Sequence, residues 1–337
     1  MTDIVKIGTR ELLRKPIFMV NIDLTRFCNY SCSYCWPAAH SMIKDHRSPD
    51  ILIKGLNEVK RQVRANGFEG FVFCFSGGEP TLHPGLLTIL ADLQTDESTF
   101  QVLEMVSNMS QGAKWWCSFI DATVGFHRIN MTASWHREAG LNDIPKHRKQ
   151  FSDKVFLLLM HHMHVEVNVV MVPERWDELL DDATYLYDRG LDVTLKMQEG
   201  GSPYTEEQLL LLRSGFPHRK WTRPPSERPS HILGKALPDV GQLAFVEMED
   251  VSGNVSYLDS TARLNALGIN EYEGWSCSAG FQSVMIREPE GTVYRAVACR
   301  DEPIGNIETG FQLFDGPKKC ITERCSCLFD LMLPKKR

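Results

Sequence analysis

The 337-residue sequence has no apolar run that approaches the length of a membrane span. Its first twenty residues, "MTDIVKIGTRELLRKPIFMV", mix polar and apolar types and lack the uninterrupted apolar core of a signal peptide. No membrane association is expected, and the chain should stay in the cytoplasm, where thiols are kept reduced. An excess of positive charge is also missing. Lys and Arg number 37 against 43 Asp and Glu, a net charge of −6. No polyanion-binding surface follows from that balance, so nucleic acid is not an expected partner. There is no internal repeat and no low-complexity tract, which excludes solenoids and tethers.

Against these absences stand ten cysteines. In a reducing compartment they point to metal or redox chemistry rather than to disulfide staples. Cys28, Cys32 and Cys35 crowd into "TRFCNYSCSYC", five more lie at 277, 299, 320, 325 and 327, and two stand alone. Cys74 in "FVFCF" and Cys117 after Trp115-Trp116 read as small buried hydrophobes. The crowded C-x3-C-x2-C admits a zinc site, a disulfide framework, a redox pair or an iron–sulfur cluster. Three thiolates are one fewer than a closed tetrahedral zinc site uses. They suit a [4Fe–4S] cluster with one iron left open.

Apolar runs at 17–24, 70–75, 100–107, 127–134, 165–172 and 191–198 read as strands. Helical spacing fits 51–64, 84–93, 111–120, 146–162, 174–189 and 204–214 between and after them. Six strand-then-helix units argue for parallel strands and right-handed crossovers. Six do not close the usual eight-stranded barrel, so a partial (β/α)6 barrel is expected, with reactive groups at the C-terminal strand ends. The first cysteines fall at one such end. Five prolines over 216–242 read as a linker or packing loop, and "FQSVMIREPEGTVYRAVA" (281–298) as a hairpin about a Pro-Glu-Gly turn. The expected division is a barrel over 1–215, a linker over 216–265 and a small cysteine-rich module of hairpin and helix over 266–337.

The cysteine triplet in a loop after the first strand, with Tyr34 before its third cysteine, resembles the hallmark of the radical S-adenosylmethionine (SAM) enzymes. "FSGGEP", with Gly77, Gly78, Glu79 and Pro80 directly after the second strand, resembles the segment with which that family meets the amino group of SAM. Glycines let carbonyls approach an ammonium, and a nearby carboxylate favours its charge. The resemblance covers residues 15–215. It implies a [4Fe–4S] cluster on Cys28, Cys32 and Cys35, SAM as cofactor, and further SAM contacts from Asn108 and Ser134 at strand ends. It also implies an external electron donor of flavodoxin or ferredoxin type.

The distal pattern, C-x21-C-x20-C-x4-C-x-C, looks like the twitch module of radical SAM enzymes, a shortened relative of the SPASM module. Such a module holds an auxiliary [4Fe–4S] cluster on four thiolates. Cys277 and Cys299 flank the hairpin as it requires, and spacing leaves open which of Cys320, Cys325 and Cys327 complete the set. A zinc ribbon is the alternative, though ribbons favour paired C-x2-C knuckles.

Several other residues invite a role. His136, after the fourth strand, and Lys196, in the sixth, are the tentative catalytic candidates, with Gln198 a possible contact. Arg295 and Arg300 bracket Cys299 and suit an anionic substrate group or plain ion pairing with Asp301-Glu302. His161, His162 and His164 read as a solvated helix end.

The activity implied is reductive cleavage of SAM to a 5′-deoxyadenosyl radical that takes hydrogen from substrate, with the auxiliary cluster accepting an electron or anchoring substrate. A small polar molecule of sugar, cyclitol or nucleotide type is the first expectation. Its grounds are the single auxiliary module and the absence of a recognition domain before the first strand near residue 17. The alternative is a peptide-modifying maturase that crosslinks or epimerises residues. Substrate identity, oligomeric state, and whether SAM is consumed or recycled are not readable from the sequence.

Overall fold

The computed structural model describes residues 4–35, 41–94, 99–198, 200–214, 246–258, 261–299 and 302–337. The proline-rich stretch at 216–242, Arg300 and Asp301 lie outside them. The chain opens with β1 (Ile4–Thr9) and α1 (Arg10–Arg14). The barrel strands follow: β2 (Ile17–Thr25), β3 (Gly70–Gly77), β4 (Phe100–Ser107), β5 (Arg128–Trp135), β6 (His164–Met171) and β7 (Asp192–Met197). Each pairs in parallel with the next. The helices are α2 (Pro49–Ala65), α3 (Leu86–Leu93), α4 (Ala113–Asp121), α5 (Ile144–Met160), α6 (Trp176–Asp188) and α7 (Glu206–Ser214).

All six expected strand–helix units are present. Pro49 opens α2, where a missing N–H costs nothing, and Asp143 caps α5 by accepting from Lys146 N at 3.0 Å. On α2, Leu52, Leu56, Val59 and Val63 form one stripe at helical spacing, all buried. They pack with Phe71, Phe73 and Phe75 of β3 in the outer core. Burying each such phenylalanine contributes about 1.5–3 kcal/mol.

Strand alternation then turns the intervening side chains inward. Along β6 the odd residues Val165, Val167, Val169 and Met171 are buried against helices, while His164, Glu166, Asn168 and Val170 keep some accessible surface. His164 is therefore a barrel residue. His161 ends α5, and His162 follows it in a left-handed turn at φ 62°.

The remaining strands are β8 (Val246–Asp250), β9 (Val255–Leu258), β10 (Ser276–Cys277), β11 (Ser283–Arg287), β12 (Thr292–Tyr294), β13 (Pro303–Asn306), β14 (Gly310–Phe311), β15 (Lys318–Lys319) and β16 (Lys335–Lys336). Two short helices, α8 (Thr261–Ala266) and α9 (Leu328–Leu331), complete the described elements. The expected hairpin is β11–β12. What the spacing did not reveal is that β11 also pairs in parallel with β2, adding a seventh parallel strand. At the other edge β7 pairs only with β6 among the described residues, so the barrel stays open.

Sheet pairing also crosses the boundaries drawn at 215 and 265. The first strand is β1, not the one near residue 17, and it lies between β8 and β16 in a second sheet of six strands. That sheet also contains β9, β10 and β15. A second core joins this module to the barrel's inner face: Ile17, Met19, Val72, Cys74 and Val102 cluster with Cys277, Cys299, Cys320, Cys325 and Leu331. The cysteine-rich module therefore plugs the N-terminal part of the barrel interior, opposite the strand ends that carry the first cysteines. No helix among the described residues is long and apolar enough to cross a membrane.

Candidate functional site

At the C-terminal strand ends, the loop after β2 is tied to the exit of β3 by backbone bonds. Gly78 N donates to Thr25 O at 2.6 Å, and Glu79 N to Phe27 O at 2.8 Å. Only glycine fits this seam. A Cβ on Gly78 would sit 2.4 Å from Phe27 O, and Gly77 adopts φ 125°. Glu79, 1% exposed, accepts at Oε1 from Ser107 Oγ (2.8 Å), Thr81 Oγ1 (2.6 Å) and Thr81 N (3.1 Å). Its Oε2 accepts from Asn108 N at 2.6 Å. These bonds tie the turn to the end of β4. Burial raises its pKa, and these hydrogen bonds pull it back.

Asn108 then reaches the cysteine loop. Its Nδ2 lies 3.0 Å from Asn29 Oδ1 and 3.8 Å from Cys28 Sγ. On the facing side, Tyr34 and His136 meet at 2.8 Å between hydroxyl and Nδ1, and Cys32 Sγ lies 3.4 Å from the same nitrogen. Burial pushes His136 down to about 4, so its ring is neutral. Glu138 holds the loop from outside, accepting from Ser33 N and Ser33 Oγ, both at 2.6 Å, and from Arg175 Nη1 at 3.0 Å. Nothing in the sequence marked Glu138; its value comes from facing residues over one hundred positions earlier. Ser134 sits on the inward face of β5 beside Asn168 of β6, and Lys196 on the inward face of β7.

Burial raises all three loop thiols, Cys32 to about 12, and Cys28 and Cys35 add like-charge repulsion. Such a set ionises readily only around a cationic centre, which is what a metal cluster supplies. The three thiols are the expected set for a cluster with one open iron.

The distal cysteines divide. Cys277, Cys299, Cys320 and Cys325 line one cavity with Thr322, Asp330 and Lys335. Backbone bonds set two of them: Cys320 N donates to Trp275 O at 2.7 Å and Cys325 N to Asn270 O at 2.8 Å. Asp330 accepts from Val297 N (3.2 Å) and Ala298 N (2.5 Å), fastening the hairpin end that carries Cys299 to α9. The Cys277 thiol is lowered by a hydrogen bond from Cys320 and then by Lys335 and Arg295. Both cations are buried. Arg295, 2% exposed, leans on Ala279 O and Lys319 O and pairs with Glu302 at 3.5 Å, as the ion-pairing alternative expects. Cys327 caps the start of α9 away from that cavity. Its electrostatic neighbours are Asp330 and Lys196, and it acts in turn on Cys74. Among the described residues, no three His, Cys, Asp or Glu side chains converge as ligands of a single metal ion. A cubane instead takes one thiolate at each iron corner.

Cys74 is buried as expected, but Cys117 is exposed, because Trp116 and Phe119 take the buried stripe of α4.

The profile of the radical SAM superfamily matches residues 22–187, from β2 through α6. The chain belongs to the radical SAM superfamily. It is therefore an enzyme of that chemistry, with SAM and a [4Fe–4S] cluster as cofactors. Solved structures share the fold well beyond the matched segment. "Native anSMEcpe with bound AdoMet" aligns with a TM-score of 0.55 at 14% identity, over 88% of this chain and 79% of that one. "Native anSMEcpe with bound AdoMet and Kp18Cys peptide" aligns at 0.53 and 13%, over 88% and 78%. The shared coverage reaches the cysteine-rich module, so a radical SAM barrel with a C-terminal module of twitch or SPASM type describes the architecture. No curated protein matches the chain by sequence.

Proposed function

We propose that Cys28, Cys32 and Cys35 hold the SAM-activating cluster, and that Cys277, Cys299, Cys320 and Cys325 hold an auxiliary one. Tyr34, Gly77–Pro80, Asn108 and Ser134 form the SAM side of the site. One observation carries this reading: a three-thiol loop lies at the C-terminal strand ends, and a four-thiol cavity packs against the inner face of the same barrel toward the other end. When bound, cluster and SAM supply one-electron cleavage to methionine and a 5′-deoxyadenosyl radical, and an auxiliary cluster supplies an electron acceptor or anchor.

The chain's own part is positioning and exclusion of water. The Gly77–Gly78 seam holds the cysteine loop at a fixed distance from β3. Asn108 orients the loop from one side, and Tyr34 with neutral His136 walls the other. Lys196, on the inward face of β7, supplies the positive charge that acts on the Cys327 thiol, against the larger opposing influence of Asp330.

The favoured substrate is a peptide, modified by crosslinking or epimerisation. Its support is the solved relative with a bound peptide, which this chain parallels through both the barrel and the module. A small polar molecule of sugar, cyclitol or nucleotide type is the second reading, supported by the polar inward face of the barrel. An external one-electron donor is required in either case.

Anaerobically reconstituted protein should carry about eight irons for two [4Fe–4S] clusters and form 5′-deoxyadenosine from SAM under reduction. Normal cleavage by a Cys28→Ala/Cys32→Ala/Cys35→Ala variant would overturn the radical assignment. A Cys277→Ala/Cys299→Ala variant should lose about half the iron; unchanged iron removes the second cluster. Peptide and sugar or nucleotide libraries, scored by stimulated 5′-deoxyadenosine formation, separate the two substrate readings.

A further inference from the structure

The hairpin β11–β12 joins the barrel beside β2, and alternation sorts the side chains of all three strands. Val20, Ile22 and Leu24 of β2 enter the outer core with Val284, Ile286 and Val293 of the hairpin. The residues between them, among which are Asp23, Met285, Arg287 and Tyr294, therefore take the barrel's inner face. Register sets Asp23 beside Arg287 and Met285 beside Tyr294. Arg287 closes β11 at the C-terminal strand ends, the end that carries the cysteine loop. The Gly77 turn is close by: a Cβ on Gly77 would lie 2.5 Å from Asp23 Oδ1.

Arg287 is the unusual member. Its side chain is 16% exposed, yet its guanidinium makes no hydrogen bond among the described residues. Its ion-pair partner, Asp23 Oδ2, lies 3.8 Å from Nε, beyond hydrogen-bond reach. Tyr294 supplies a face rather than an acceptor, with its ring centroid 5.8 Å from Cζ. The neighbouring arginines are placed differently. Arg47 Nε donates to Glu288 Oε2 at 2.7 Å, Arg47 Nη1 pairs with Glu308 Oε1 at 2.5 Å, and Arg26 pairs with Glu290. Each has a carboxylate in direct contact, and Arg287 has none. Five N–H donors largely withdrawn from water call for acceptors. What the fold presents is a planar cation, steadied by an aromatic ring and still partly accessible.

We propose that Arg287, held over Tyr294, binds a carboxylate of the substrate at the C-terminal end of the barrel. The guanidinium fork matches a carboxylate in plane, through two parallel N–H···O bonds. Asp23 decides between oxyanions, because its charge opposes a dianionic phosphate more than a monoanionic carboxylate. This rests on the radical SAM reading above and narrows it to substrates with a free carboxylate: an acidic side chain or C-terminus of a peptide, or a sugar acid. Only β2 separates β11 from the strand that ends in Gly77, so the anchored substrate lies beside the SAM side of the site.

The test uses reconstituted protein with SAM and propionate as probe, its binding followed by ligand-observed NMR. Propionamide, which has the same shape without the charge, should bind about tenfold more weakly than propionate. Arg287→Met should weaken propionate binding about tenfold or more and leave propionamide unaffected. Equal binding of the two probes to wild type overturns the assignment, as does unaltered propionate binding by Arg287→Met. Inorganic phosphate that binds more tightly than propionate, and is lost in Arg287→Met, overturns the choice of carboxylate. Loss of SAM binding in Arg287→Met with propionate binding retained gives the guanidinium to SAM's own carboxylate, and the proposal fails. Should Arg287→Met not fold, Asp23→Asn removes the opposing charge and should tighten propionate several-fold; an unmoved affinity is equally adverse. The two readings fail separately. Wild-type protein that makes no 5′-deoxyadenosine sinks the radical reading, whereas normal 5′-deoxyadenosine with propionate bound no better than propionamide sinks only this one.

Discussion

Nδ1 of His136 lies 2.8 Å from the Tyr34 hydroxyl, and the two rings stack with centroids 6.0 Å apart. One residue belongs to the cysteine loop and the other follows the end of β5, so the contact joins that loop to the far half of the barrel. Glu138, two residues later, repeats the tie through Ser33. The cysteine loop is thereby clamped on both sides, by Gly78 and Asn108 from one and by His136 and Glu138 from the other.

Gly78→Ala tests the first clamp. Its Cβ would meet two backbone carbonyls, Phe27 O at 2.4 Å and Arg26 O at 2.6 Å, neither of which can swing away as a side chain can. Thermal unfolding should show a loss of about 1–3 kcal/mol, and iron retention by the first cluster should fall. Gly112→Ala, where nothing lies within 4 Å, is the matched control. Equal stability of the two variants would show that the seam tolerates a side chain.

Glu138→Ala tests the second clamp. It removes three partners at once and leaves Ser33 N without an acceptor. The site is at the surface, so the cost to global stability should be small, about 1 kcal/mol or less. Iron should pass to a chelator several-fold faster from Cys28, Cys32 and Cys35, with the distal set unaffected. Unaltered release kinetics would assign Glu138 to plain ion pairing with Arg175.

Glu104→Gln should change how stability depends on pH. A carboxyl raised to about 7 in the folded chain, from an ordinary value of 4.5, binds more protons folded than unfolded. Its effect is therefore harmless below about pH 4.5, and it costs stability increasingly as pH rises toward 7. At 1.36 kcal/mol per unit the full penalty is on the order of 3 kcal/mol. The variant should unfold at a higher temperature than wild type at pH 8 and at a similar one at pH 4.5. A constant difference across that range would place Glu104 in an ordinary solvated setting.

The sequence alone determined the chemistry. Cysteine spacing is local, so C-x3-C-x2-C after a strand and a Gly-Gly-Glu-Pro turn after the next are legible without a fold. The six strand–helix units are legible for the same reason: periodicities of 2 and 3.6 are properties of consecutive residues. Tertiary structure decided everything that depends on which distant segments meet. Spacing could not separate Cys325 from Cys327, two residues apart, yet alternation around the start of α9 turns one toward the four-thiol cavity and the other toward Lys196. Nor could composition show that Ser283–Arg287 pairs in parallel with β2, that Arg295 is buried, or that Cys117 is not. Glu79 and Glu104 are the clearest case. Both are carboxylates deep in the fold, one just past β3 and one within β4, and only their neighbours distinguish them: four hydrogen bonds pull the first back against burial, and a single one leaves the second raised to about 7.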